Sequence, residues 1–182
     1  MDNLIITQEH NHVFTITLNR TSKKNALNKS MYLDLCAAFE HASENSNIHC
    51  VLIQGDQNCF CAGNDLADFL QSTQSDDLAA FDFVQVLTTF EKPIVAAVAG
   101  PAVGIGTTML LHCDMVVAAT NSKFKLPFTQ LGISPEAGSS LLLPLRIGHA
   151  KAFELLVLGK LFTAEQALEY GLINQVCLPE EL

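Results

Sequence analysis

Basic side chains are scarce in this sequence. Only 10 lysines and arginines stand against 19 aspartates and glutamates, a net charge of −9 over 182 residues. Such an acidic chain repels nucleic acid and anionic membrane surfaces, so neither is an expected partner. An anionic ligand would have to be held locally, by helix N-termini or a few lysines. Long apolar runs are missing as well. The richest segment, Ile94–Leu111, is interrupted by Gly100, Pro101, Gly104 and Gly106 and does not reach the ~20 residues that cross a bilayer. The opening MDNLIITQEH has neither a basic region ahead of an apolar run nor a cleavage site. It does not read as a secretory signal, and a cytoplasmic protein is the expectation. None of the six cysteines forms a CxxC pair, so disulfides are not expected. Cys59 and Cys61 flank Phe60, but no His or Cys stands at a spacing that would complete a metal site. All six read as small buried hydrophobes, and no metal is expected. Low-complexity stretches, internal repeats and inter-domain linkers are absent too.

What is present suits one α/β domain. Apolar residues make up 49% of the chain, and its length is enough to bury a sizeable core. Val13–Leu18 alternates as a strand, with Phe14, Ile16 and Leu18 on one face. Asn28 stands where it can cap a helix carrying Tyr32, Leu35, Cys36 and Phe39 on its apolar stripe. Cys50–Gln54, Ile94–Val98 and Met115–Ala119 read as buried strands, and Leu172–Cys177 as a last one. Helices are predicted over Leu78–Phe90, Gly104–His112 and Gly148–Leu158. Another starts at the capping box Thr163-Ala164-Glu165-Gln166. Alternation of strands and helices implies a largely parallel sheet, with ligands near the carboxyl ends of its strands.

Two glycine-bearing loops follow such strands, Gly55–Asp65 and Ala99–Gly106. Glycine lets the backbone approach a ligand closely and leaves N–H groups free to point at it. Two N–H groups converging on one point form an oxyanion hole. Each loop by itself fits a tight strand-to-helix turn equally well. Gly104-Ile105-Gly106 lacks the third glycine of a dinucleotide fingerprint.

An ordered set of segments resembles the crotonase (enoyl-CoA hydratase/isomerase) superfamily over almost the whole chain. They are Asn19-Arg20 with Asn25-Ala26-Leu27, Ala62-Gly63-Asn64-Asp65-Leu66, Lys92-Pro93-Ile94 and Gly100-Pro101-Ala102-Val103-Gly104. Cys113-Asp114, Leu131-Gly132-Ile133-Ser134-Pro135-Glu136, Gly159-Lys160 with Ala164, and Gly171-Leu172 complete it. The resemblance implies an α/β fold, the ββα spiral of the ClpP/crotonase fold, with an acyl-CoA thioester bent between the two loops. It implies that the backbone N–H groups of Asn64 and Ile105 bind the thioester oxygen. Asn25, Ala26, Leu27, Ala62, Gly63, Asn64, Asp65, Leu66, Gly104 and Ile105 are then the substrate-binding positions. Lys23 and Lys24 stand where coenzyme A phosphates could meet them, and equally read as solvated lysines. Coenzyme A belongs to the substrate, so no separate cofactor is expected. Family members continue into further helices that support trimers or dimers of trimers. This chain stops at Pro179–Leu182, where those helices would begin. The expectation is therefore a single crotonase-like domain over residues 1–182, truncated before the C-terminal helices, in a homotrimer or hexamer.

Hydratases of the family place one glutamate just after the second glycine loop and another after a proline. This chain has Thr108 and, after Pro127, Phe128 there, and neither can transfer protons near neutral pH. Glu136, in Ser134-Pro135-Glu136-Ala137-Gly138-Ser139-Ser140, resembles the catalytic glutamate of peroxisomal-type Δ3,Δ2-enoyl-CoA isomerases. Without the resemblance it reads as a first-turn glutamate favoured by a helix dipole. Asp114 reads as structural, His112 and His149 as core or surface residues without triad partners, and Arg146 and Lys151 as helix-surface residues. The resemblance thus implies an isomerase of 3-enoyl-CoA in fatty-acid β-oxidation. A hydratase or other enolate chemistry, and a non-catalytic CoA-binding or scaffold module, stay open as alternatives.

Overall fold

The computed structural model describes residues 3–65, 67 and 78–182. Strand β1 (Ile5–His10) turns through Asn11 and His12, both at positive φ, into antiparallel β2 (Val13–Leu18). Phe14, Ile16 and Leu18 are buried and the residues between them half-buried, as period-two patterning requires. Helix α1 (Lys29–Glu44) begins where the Asn28 side chain accepts a hydrogen bond from the Met31 N–H at 3.0 Å. Its stripe of Met31, Tyr32, Leu35 and Phe39 is buried, and Phe39 packs edge-on against Phe83 of α2 (Ala79–Thr89). Between these helices β3 (Cys50–Gln54) extends the sheet in parallel with β2.

From β4 (Ile94–Val98) the chain repeats a strand–strand–helix turn. β4 joins the main sheet, β5 (Pro101–Val103) enters a second sheet, and α3 (Ile105–Thr108) follows, continued by a 3-10 turn at Met109–His112. The next turn is β6 (Met115–Ala119), β7 (Lys123–Lys125) and, after a 3-10 turn at Thr129–Leu131, α4 (Ser139–Ile147). Helix α5 (His149–Leu158), β8 (Phe162–Thr163), α6 (Ala164–Glu169) and β9 (Gln175–Cys177) complete the order. The main sheet runs β1-β2-β3-β4-β6-β9, parallel except for β1, and the second runs β5-β7-β8. A single buried cluster links Ile5 to Ile173 across both. These are the ββα turns the resemblance implies. No helix among the described residues is long and apolar enough to cross a membrane.

The differences from the sequence reading have local causes. β1 shows no alternation because only Ile5 is buried. β5, β7 and β8 have three, three and two residues, too few to display a period. α4 follows Gly138 and contains Pro144, two residues that ordinarily punctuate helices. Leu172 and Ile173 are buried ahead of the last strand, which starts only at Gln175.

Candidate active site

Short parallel bridges lay the first glycine loop between two other segments. The Cys61 N–H donates to Pro101 O at 3.1 Å, and the Cys61 carbonyl accepts from the Val103 N–H at 2.9 Å. Asn64 pairs instead with Leu27, through Leu27 N–H to Gly63 O and Asp65 N–H to Leu27 O, both 2.8 Å. In such a bridge the middle residue's own N–H points to the opposite side. The Asn64 N–H therefore faces away from Leu27, and no backbone partner for it exists among the described residues. Ile105 opens α3, where first-turn amides have no acceptor within the helix, and its N–H is likewise without a backbone partner there. Gly106 permits the close approach of the two loops, since a Cβ on it would lie 2.5 Å from the Cys61 carbonyl oxygen. Gly104, with φ of 55°, turns the chain into α3 beside Glu136; its Cβ would lie 3.8 Å from Glu136 Oε1.

Glu136 arrives from the segment between β7 and α4. The two residues after it, Ala137 and Gly138, both have positive φ, 50° and 65°. Its carbonyl accepts from Ser139 N–H at 2.9 Å and Ser139 Oγ at 2.6 Å, while His112 Nε2 donates to Ala137 O at 2.8 Å. Glu136 thus precedes Gly138, the residue that caps α4, and is not a first-turn glutamate. Its carboxylate borders a cavity of about 290 Å³. The first loop contributes Ala62, Gly63 and Asn64 to the walls, and the second Gly104 and Ile105. Pro127, Phe128, Leu131 and Ile133 form the apolar remainder. Burial pushes the Glu136 carboxyl above its usual range, and a hydrogen bond from Asn64 Nδ2 to Oε2 at 3.4 Å pulls it partly back. The Tyr32 hydroxyl bonds to Asn64 Oδ1 from the other side.

Of the expected substrate positions, Asn25, Ala26, Leu27 and Asp65 do not line this cavity. Asn25 is fully buried, its Oδ1 accepting from Arg20 N–H at 2.8 Å and its Nδ2 donating to Cys59 O at 2.9 Å. Its side chain is occupied inside the loop. Asp65 is paired with Arg20 at 2.7 Å, Lys23 and Lys24 are exposed, and Leu66 lies outside the described residues. Thr108 and Phe128 are buried, and the Thr108 hydroxyl has no hydrogen-bond partner among the described residues. Asp114 accepts from Ile94 N–H at 2.8 Å, a structural role. Arg146, although exposed, turns its guanidinium onto the carbonyls of Leu110, Leu111 and Cys113 and closes the turn after α3. All six cysteines are free thiols. The sequence reading missed Tyr32 as a neighbour of the site, because its spacing marks it only as part of a helix stripe.

Residues 8–182 match the family model described as enoyl-CoA hydratase/isomerase. Enoyl-CoA delta isomerase 2 of Rattus norvegicus is 39% identical over 180 residues, covering 95% of this chain and 46% of its own length. The 2,3-dehydroadipyl-CoA hydratase of Escherichia coli (strain K12) is 36% identical over 188 residues, covering 100% of this chain and 71% of its own. The crystal structure of an enoyl-CoA hydratase/isomerase from Pseudoalteromonas atlantica T6c aligns with a TM-score of 0.95 at 40% identity, over 99% of this chain and 72% of that one. This chain therefore spans less than half of the rat relative and about 70% of the other two. Matched nearly end to end, and following the backbone of a solved member this closely, the chain belongs to the enoyl-CoA hydratase/isomerase family of the crotonase superfamily.

Proposed function

We propose that this chain binds an acyl-CoA thioester and moves its double bond from the 3- to the trans-2-position. The observation that carries the reading is Glu136. It is the one carboxylate among the described residues that line the cavity, and Thr108 and Phe128 stand where a hydratase of the family places its two glutamates. In the proposed reaction Glu136 takes a proton from C2, breaking the C2–H bond and forming a carboxyl O–H. The electron pair moves onto the thioester oxygen, which rests on the Asn64 and Ile105 N–H groups. The dienolate then collapses to the C2=C3 double bond as the same carboxyl delivers its proton to C4. Burial that favours the protonated glutamate suits a group that must hold the proton between the two steps. One carboxyl serves both transfers, so the reaction as proposed uses no metal or redox cofactor. Phe128, Leu131 and Ile133 give the cavity an apolar wall for the acyl chain.

The name of the rat relative supports this reading, and that of the Escherichia coli relative supports hydration instead. Following the loss of 3-hexenoyl-CoA and of crotonyl-CoA separates them. Isomerisation of the first without hydration of the second is expected, and the reverse pattern overturns the reading. Binding of acyl-CoA with neither turnover would mark a CoA-binding module. The reading extends to a role in fatty-acid β-oxidation, a cytoplasmic location, and assembly as a homotrimer or hexamer. Exposed Leu141, Leu145, Phe153 and Leu158 on α4 and α5 support assembly. Light scattering tests it, and a monomer mass at working concentration would refute it.

A further inference from the structure

We infer that Tyr32 is a positioning residue of this site, acting through the Asn64 side chain to set which way its amide faces Glu136. Tyr32 lies on α1, 4% exposed, with its ring tilted against Phe83 at 5.7 Å. Its hydroxyl bonds to Asn64 Oδ1, and Asn64 Nδ2 reaches Glu136 Oε2 at 3.4 Å. An amide has an acceptor end and a donor end. While the phenol donates to the oxygen, the NH2 end is committed to the carboxylate. Turned over, the amide would set its oxygen against a carboxylate oxygen. The buried face of α1 thereby dictates a polar contact in the cavity, and also steadies the residue whose backbone N–H is left without a backbone partner among the described residues. Among the described residues, Tyr32 and Cys61 face the charge of Glu136, and His112 adjoins through the Ala137 carbonyl. Burial holds the Tyr32 phenol well above its usual range and the Cys61 thiol up at about 12. A phenol held above its usual range keeps the O–H that it gives to Asn64 Oδ1.

The inference rests on Glu136 as the base, and the test separates the two. The Glu136 carboxyl is titrated by 13C NMR in the wild type and in Tyr32→Phe, which keeps the ring in its packing. With the fixed donor lost, the carboxylate is less favoured. The midpoint should therefore move up, and the acid limb of the pH–rate profile with it. In the wild type, the Asn64 side-chain NH2 signals should report the same titration, a measurement that needs no variant. With 3-enoyl-CoA, kcat should fall roughly two- to tenfold, the lower part of the coupling between residues that share one hydrogen-bond network, while KM holds. In an Asn64→Ala background Tyr32→Phe should shift nothing further. An unmoved midpoint in Tyr32→Phe, Asn64 signals blind to the titration, or an undiminished shift in the Asn64→Ala background overturns the inference. A wild type without isomerase activity overturns the functional reading instead, and the NMR titration still decides the role of Tyr32.

Discussion

At the scale of the residue, Glu136 carries two opposed requirements. As the only proton carrier of the proposed reaction, its replacement in Glu136→Gln should cost kcat about 10²–10⁴-fold while acyl-CoA binding persists, measured by steady-state kinetics and calorimetry. Because burial raises its folded value, the folded chain holds this proton more tightly than the unfolded one. Stability is then full below the ordinary glutamate range and declines as pH rises through the raised folded value. Glu136→Gln should therefore unfold at higher urea than the wild type at neutral pH, and the difference should vanish in acid. The neighbour Ala137 sits at φ 50°, where an L side chain is strained. Ala137→Gly should stabilise the chain by about 1 kcal/mol, read from urea midpoints. Neither residue announces its conformation in the sequence. Glu136 beside Gly138 and Ser139 passes for a first-turn glutamate, and only resemblance to a family motif singles it out.

At the scale of the element, local chemistry was readable where it is self-contained. Asn28 caps α1, and Thr163 and Gln166 form the reciprocal capping box of α6, Thr163 N–H to Gln166 Oε1 at 3.0 Å and Gln166 N–H to Thr163 Oγ1 at 3.2 Å. Thr163→Ala should lower stability by about 1 kcal/mol in denaturant unfolding and leave turnover unchanged, since α6 takes no part in the cavity. The strands β5, β7 and β8 were not readable, because a two- or three-residue strand exists only through its partners. Pro101–Val103 becomes a strand by lying beside Lys123–Lys125, a pairing across some twenty residues that no local pattern encodes. α4 was hidden for the opposite reason: Pro144 argues against a helix that packing nonetheless holds.

At the scale of the whole molecule, the site is assembled from residues near 32, 62–64, 104–105 and 136, carried on α1, the first glycine loop, the turn into α3 and the segment ahead of α4. Their meeting depends on clearances such as that between Gly106 and the Cys61 carbonyl. Gly106→Ala would force the two loops apart, and should cost roughly 1–3 kcal/mol in stability together with more than tenfold in kcat. Retained activity there would show that the loops need not be so close. The sequence by itself determined the acidic character, the parallel α/β alternation, the two glycine loops and the helix caps. Each of these rests on neighbouring residues or on summed composition. Only the tertiary structure decided that Asn25 is spent inside its loop, that Arg146 closes the turn after α3, and that Tyr32 reaches Asn64. Those roles depend on which hydrogen-bonding groups meet across 30 residues or more, and a side chain's chemistry is set by that meeting rather than by its place in the chain.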